Sequence, residues 1–397
     1  MAGDAVLGLG GTIDFELHWD AGALESAASE LGIVSLPASP PPAIDSERAL
    51  VLSVLHHLAA GTGGEHFVDS AEVIEAFAGR FGYRTTLGGT PVRAALAMSA
   101  LGIGSTVHLV SIDDDVRRLL PADVDYLCSA DHDSTDPHLI VQFPAGARIR
   151  LAEEEIVAPA ANRLIYPCDI PNAVLVLSDR LPEALASARV FLISGLNSIQ
   201  ERDILDARLA ELRSAVRALP AGAVVLYEDG GYHVPAFATE VHAALAPVLE
   251  VFSLNEDELM TAVGRPVDLL DVDAVDAAVR ELALRLGVPA IILHTRLYAL
   301  AFGEDAERLR AVVEGGVAVS GARYALGDGI TRAEVERLAE TGRRNSHGVA
   351  MARALPARGP FVVVPALDLG DVASPTTIGL GDSFVGGAIA ALVRVPV

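Results

Sequence analysis

Apolar residues recur along the 397-residue chain in two alternating rhythms. Short apolar runs at 4–9, 106–111, 190–194, 224–227, 251–254, 290–294 and 361–364 have the length of buried strands. Stretches with helical spacing separate most of them. Over 47–60, Leu50, Val51, Val54, Leu55 and Leu58 fall on a helical period that ends at the glycines of 61–64. A further helix is predicted from Ser70, a candidate cap, to Phe81, and an alanine-rich one over 91–101 after Gly88 and Gly89. Strand, turn, helix and strand in this order predict a parallel sheet. The region 138–170 is different: 138–143, 147–151 and 163–166 look like short strands joined by turns.

The expected fold class is therefore α/β, a doubly wound, mostly parallel sheet that carries a small strand-rich lid. The larger body takes 1–14, 46–60, 88–137 and 171–397, and the lid takes 15–45, 61–87 and 138–170.

Composition narrows the chemistry. All 29 Lys-plus-Arg residues are arginine, so the chain has no lysine. A Walker-type phosphate loop, a protein-kinase fold and Schiff-base chemistry all need that amine and are excluded. GC-rich coding accounts for the absence without any functional cause. With 53 acidic residues and a net charge of −24, the surface repels phosphate backbones and anionic lipid, which argues against nucleic-acid and membrane partners. Cys128 and Cys168 make neither a disulfide framework nor a zinc cluster. No leader-like or membrane-length apolar stretch is visible, so a soluble cytoplasmic protein is expected.

Several polar groups stand where strands end or helices begin. In Gly379-Leu380-Gly381-Asp382, two glycines precede an expected helix whose first amides can bind phosphate, with Asp382 placed to accept a proton. The competing reading is that Asp382 merely caps the helix. Asn255 and Glu258 follow the 251–254 run at the carboxyl end of a strand, where open α/β sheets place ligands. They can orient hydrated Mg²⁺ or form a capping box. Glu228 and Asp229 lie at another strand end and can equally be a solvated turn. Gly88 and Gly89 can bring amides to a substrate or make a tight turn. Asp14 can accept from hydroxyls or cap a helix. His294 and Thr295 follow an apolar strand, where a core histidine is the plainer reading.

Taken in order, these segments resemble the ADP-dependent glucokinase and phosphofructokinase family, a branch of the ribokinase-like kinases. The resemblance rests on Gly-Gly-Thr-Ile-Asp at 10–14, Ala-Gly-Thr-Gly-Gly-Glu at 60–65 and Leu-Gly-Gly-Thr at 87–90. It continues through Gln-Phe-Pro-Ala-Gly at 142–146, Ala-Asn-Arg-Leu-Ile at 161–165 and Ile-Ser-Gly-Leu-Asn at 193–197. Leu-Tyr-Glu at 226–228, Asn-Glu-Asp-Glu at 255–258, His-Thr-Arg at 294–296 and the final Gly-Leu-Gly-Asp complete it. Only 15 residues follow Asp382, and in the ADP branch the chain stops soon after this motif, unlike the ATP-dependent relatives.

The resemblance implies that Asp382 is the catalytic base, with Gly379 and Gly381 in the anion hole and Arg163 on a phosphate. It implies sugar contacts from Asp14, Glu65, Gly88 and Gly89, nucleotide contacts from Asn255, His294, Thr295, Ile378 and Leu380, and Mg²⁺ held through water by Glu228 and Glu258. ADP is the implied phosphoryl donor and a sugar the acceptor; the sequence leaves the oligomeric state open, with a monomer slightly favoured. Departures also stand out. Leu226 occupies the place of the family's His in His-x-Glu, Gly10 and Thr12 replace asparagines before Asp14, and Thr90 replaces an amide residue. Ala145 stands where phosphofructokinase members carry a lysine, which tilts the acceptor toward glucose or a related sugar. An ATP-dependent sugar or nucleoside kinase and a non-catalytic sugar or nucleotide sensor remain the alternatives.

Overall fold

Two sheets of different character organise the chain. The computed structural model describes residues 4–370, 372, 376 and 378–394, which form sixteen strands. In order they are β1 (Ala5–Leu7), β2 (Thr12–Leu17), β3 (Gly64–Glu65), β4 (Tyr83–Gly88), β5 (Ser105–Leu109) and β6 (Val124–Cys128). Then come β7 (Pro137–Phe143), β8 (Arg148–Arg150), β9 (Glu155–Val157), β10 (Asn162–Pro167) and β11 (Val190–Ile193). The last are β12 (Val224–Glu228), β13 (Val251–Asn255), β14 (Ala290–His294), β15 (Tyr298–Phe302) and β16 (Phe361–Pro365).

The larger sheet has the order β16-β15-β14-β13-β12-β11-β1-β5-β6. Every neighbouring pair is parallel except the two that involve β15. Its central strands are apolar throughout, as in the fully buried Val190–Ile193, because helices cover both faces. The doubly wound, mostly parallel sheet expected from the alternation is present.

The smaller sheet has the order β3-β10-β7-β2-β4, and β8 and β9 form a separate hairpin. Here the period-two rule divides the side chains between two faces. Ile13, Phe15, Leu17, Leu139, Val141, Leu164 and Tyr166 are buried on one face. The helices Ala21–Glu30, Glu47–Ala60 and Ala71–Ala78 pack with this sheet and its hairpin, and the Ser53 hydroxyl lies 3.0 Å from that of Tyr166. The helix over 46–60 thus joins the strand-rich body, a correction to its expected place in the larger one. It is buried almost all round because the sheet and two other helices surround it. The boundary expected at residue 14 also moves, since β2 runs unbroken from Thr12 to Leu17.

Local signals had uneven success. The 47–60 helix and the 290–294 strand fall where the spacing puts them. The helix expected from Ser70 spans Ala71–Ala78, and the Ser70 hydroxyl makes no capping bond. β4, β6 and β15 were not foreseen.

The helix Leu380–Arg394 is seated between the helices Arg310–Leu326 and Thr90–Ala100. Small residues make that fit. A Cβ at Gly387 would run into the Gly315 carbonyl, and one at Gly386 would lie 2.6 Å from the Ala94 carbonyl. Backbone meets backbone here, so no side chain can swing away to relieve an added group. Gly387→Val is expected to lower unfolding free energy by about 2 kcal/mol or more, as read from the midpoint of a chemical denaturation curve.

Candidate active site

The carboxyl ends of β11, β12, β13 and β14 open together into one cleft, as expected beside the point where the strand order reverses. Ser194 and Gly195, Glu228 and Asp229, Asn255 and Glu258, and His294 line it from that side. Facing them is the outer side of the smaller sheet. Register pairs Asp14 with His138, Glu16 with Arg84, and Ile165 with both Ile140 and Glu65. Alternation therefore sends Asp14, Glu65, His138, Ile140, Arg163 and Ile165 toward the same cleft, whose volume is about 360 Å³. A second cavity of about 650 Å³ lies beyond it, and the two share Asn255, His294 and Gly381.

The turn 378–382 stands at that junction. Gly379 has φ of +65°, a left-handed conformation that glycine adopts without strain, and the helix begins at Leu380. Asp382 lies inside the first helical turn, so it is not the N-cap. Its Oδ1 accepts from the Thr90 hydroxyl at 2.8 Å. The Ser383 hydroxyl and amide both donate to the Gly379 carbonyl, at 2.8 and 3.0 Å, and close the turn. Helix-start amides have no intrahelical acceptor and attract negative charge. Ile378, Gly379, Gly381 and Asp382 line the first cavity, while Leu380 and Gly381 line the second.

Beneath the turn lies Arg93, which sequence reasoning missed inside an alanine-rich helix. It is buried, donates to Asp14 at 2.7 Å, and comes within 3.9 Å of both Glu16 and Asp382. Burial alone would penalise its charge, but Asp14 and Asp382 outweigh that and raise its pKa. Asp14 is 4% exposed and also accepts from the Thr12 hydroxyl at 2.8 Å, so both its oxygens already have partners. Gly88 permits this arrangement without lining the cleft: a Cβ there would run into the Asp14 carboxylate and the Thr12 hydroxyl. Gly89 does line the cleft.

Arg163 is half-buried on the lid face, and among the described residues its guanidinium has no hydrogen-bond or ion-pair partner. Burial, then the neighbouring Arg93, pull its pKa below the ordinary guanidinium value. Two histidines not singled out by the sequence stand close by. His138 shares a 2.9 Å hydrogen bond with Asp169, whose pull outweighs burial and raises the imidazole pKa. His233 stands 3.7 Å from Glu65 across the cleft.

Glu228 and Glu258 occupy adjacent strand ends. Glu228 Oε2 is buried without a hydrogen-bond partner, whereas Oε1 lies 2.8 Å from His294 Nε2. Although Leu226 replaces the expected histidine, Glu228 thus meets an imidazole from two strands away. Burial opposes a charge on His294, but Glu228 more than compensates and raises its pKa. His294 also stacks on Phe384 of the helix after the turn, with ring centroids 4.7 Å apart.

Asn255 and Glu258 form the capping box that was the competing reading. Glu258 accepts from the Asn255 amide and side chain at 2.8 Å each, and Asn255 Oδ1 accepts from the Asp257 and Glu258 amides. Thr295 is likewise a turn residue whose hydroxyl closes the β14–β15 connection, although it lines the second cavity.

Burial, reinforced by Glu228, pushes the Glu258 carboxyl up to about 8. Two close carboxylates with one orphaned oxygen suit a cation. Among the described residues no group of three or more acidic, histidine or cysteine side chains could cage one. The pair therefore fits an ion that keeps waters and phosphate oxygens as its other ligands.

Two outcomes follow from these charges. Arg93→Met leaves Asp14 without its buried partner and is expected to cost about 3–5 kcal/mol of stability in denaturant unfolding. Glu258 keeps its proton to about pH 8 when folded but loses it near about pH 4.3 when unfolded, so its contribution falls as pH rises between those values. Unfolding measured in chelator at pH 5 and pH 8 should therefore move in favour of Glu258→Gln at the higher pH, by at most about 1.4 kcal/mol per unit.

The sequence profile of the ADP-specific phosphofructokinase/glucokinase conserved region matches residues 5–326. No curated protein sequence matches the chain. Among solved structures, a phosphofructokinase from Pyrococcus horikoshii OT3 with AMP aligns with a TM-score of 0.81 at 15% identity, covering 99% of this chain and 98% of its own. The reconstructed last common ancestor of ADP-dependent phosphofructokinases from Methanosarcinales aligns with a TM-score of 0.79 at 16% identity, covering 99% and 94%. An ADP-dependent kinase in complex with fructose-6-phosphate and ADPβS gives 0.72 at 16% identity over the same shares. These likenesses show that the chain shares its fold with those enzymes, and the profile match shows its family. The chain belongs to the ADP-specific phosphofructokinase/glucokinase family of sugar kinases.

Proposed function

We propose that this kinase transfers the β-phosphoryl group of ADP to a hydroxyl of an unphosphorylated sugar, glucose or a close relative, with Asp382 as the base. The observation that carries this reading is the place of Asp382, in the first turn of a helix where the two cavities join. The sugar takes the smaller cavity beside Asp14, Glu65, Gly89 and His138, and the nucleotide takes the larger one beside Thr295 and Leu380.

Asp382 has one oxygen held by Thr90, which leaves Oδ2 to accept the proton of the acceptor hydroxyl. The sugar's hydroxyl oxygen, freed of that proton, bonds to the β-phosphorus as the bond to the α–β bridging oxygen breaks, and AMP departs. Helix-start amides at Gly379–Asp382 and the guanidinium of Arg163 face the charge that develops on the transferring group. Glu228 and Glu258 would hold Mg²⁺ through water, and the ion would neutralise phosphate charge when bound.

The charge balance of the cleft supports a neutral acceptor. Arg93 is committed to Asp14, and His138 to Asp169. Among the described residues that line the cleft, Arg163 is then the arginine left for phosphate, and the transferring group uses it.

With ADP and Mg²⁺, a coupled assay should show turnover on glucose or a related aldose and little on fructose 6-phosphate. Asp382→Asn should lower kcat by about 10²- to 10⁴-fold while calorimetry still detects ADP binding. Unchanged turnover in that variant would rule out Asp382 as the base. Sugar binding by the parent protein without turnover under any donor would favour a sensor.

A further inference from the structure

Arg323 lies behind the catalytic turn, outside both substrate cavities. It belongs to the helix Arg310–Leu326, and only 8% of its side chain is exposed. Its Nε donates to the Ile378 carbonyl at 3.1 Å, immediately before the left-handed Gly379. Its Nη1 pairs with Asp328, in the short turn after the same helix. The second oxygen of Asp328 pairs with Arg84 of β4 at 3.1 Å. Arg84 also donates twice to Glu16 of β2, at 3.0 and 2.7 Å, and Glu16 accepts from Thr86 at 2.8 Å.

These contacts form one continuous chain from the smaller sheet to the turn that carries Asp382. Its two ends differ in character. Arg323 is buried at its end of the part-buried bond to Ile378, so little water is at hand there to replace the bond if lost. The Arg84–Asp328 pair is half-exposed and spans the two bodies, so it contributes little to stability alone. Asp328 is shared between them: with Arg84 in place, one carboxylate is held from both sides and fixes the direction of the Arg323 fork. A guanidinium held at two of its nitrogens fixes the plane of the carbonyl it meets, which sets the helix-start amides that follow.

We propose that Arg323 is a positioning residue for phosphoryl transfer, aiming the 378–382 turn through the Ile378 carbonyl, and that Arg84 and Asp328 make this aim depend on the seating of the smaller sheet. Arg323 touches neither sugar nor nucleotide. It acts through the turn, so its loss should appear in kcat and not in binding. The turnover effect rests on the kinase reading above, but the ordering of the turn does not.

The experiment compares Arg323→Gln, Arg84→Gln, Arg84→Lys, Asp328→Asn and the Arg84→Gln/Asp328→Asn double variant with the parent protein. Arg323→Gln should lower kcat at least about tenfold, with KM for ADP changed less than about threefold. Arg84→Gln and Asp328→Asn should each lower kcat by a smaller factor. The double variant should be no worse than the weaker single variant, since both break one link. Arg84→Lys should recover most of the loss, because it restores a cation to Asp328. Hydrogen exchange of the peptide containing residues 378–383 should quicken in Arg323→Gln and Arg84→Gln, whether or not the preparation turns over.

A kcat in folded Arg323→Gln within about twofold of the parent overturns the positioning role. Losses from Arg84→Gln and Asp328→Asn that multiply, or no loss in either, overturn the link to the smaller sheet. If Arg323→Gln fails to fold, the exposed Arg84 variants still decide, and unchanged exchange at 378–383 in Arg84→Gln counts against the proposal. Absence of sugar phosphorylation by the parent refutes the kinase reading instead, and the exchange data then judge this one separately.

Discussion

A single buried guanidinium makes this cleft possible. Asp14 and Asp382 converge on it from two bodies of the protein, and without Arg93 the buried Asp14 would place uncompensated negative charge out of water. The cost of each buried carboxylate is met by geometry that leaves little choice of partner: the fork of Arg93 reaches Asp14 on one side while its stem runs under Gly379 on the other. In a chain of net charge −24 that lacks lysine, every such compensation falls to arginine or histidine. The same logic recurs at Asp169 with His138 and at Glu228 with His294.

The two sheets contribute in different ways. The parallel sheet supplies strand ends, where backbone direction changes and polar groups cluster without disturbing the apolar interior. The smaller sheet supplies a face, on which alternation spaces Asp14, His138 and Arg163 regularly. One side offers helix-start amides and acids, the other a row of hydrogen-bonding side chains, which is the division the proposed reaction needs between phosphate and sugar. Because the turn at 378–382 stands between the two cavities, a donor and an acceptor can approach it from opposite sides.

Legibility from sequence followed the range of the interaction. The Gly379–Asp382 turn and the Asn255–Glu258 box are local, so spacing alone exposed both, although the box proved to be a cap as well as a candidate ligand pair. The domain boundary expected after residue 14 falls inside β2, a strand that no apolar run announces, and Asp14 and Glu16 share one face of it. Arg93 and Arg323 were invisible for a different reason. A charged residue in a helical pattern normally marks a solvated face, and their partners lie 79 and 55 residues away. His294 is expected among the nucleotide contacts, whereas its hydrogen bond to Glu228 depends on strand register that no local pattern encodes. The helix over 46–60 shows the converse error, where the helical period placed the element correctly but not the body that buries it.

The contact of Gly387 with Gly315 has a mechanical consequence. Two helices touching backbone to backbone interlock like cogs, so the helix bearing Asp382 can neither slide nor roll without separating from its neighbour. In the proposed reaction any adjustment between sugar and phosphate would then be borne by the other body, at the places where the chain passes between the sheets. Two of those crossings, before β2 and after β4, run through glycines. In the proposed reaction Asp382 would be the anvil of the machine, with the sugar brought to it.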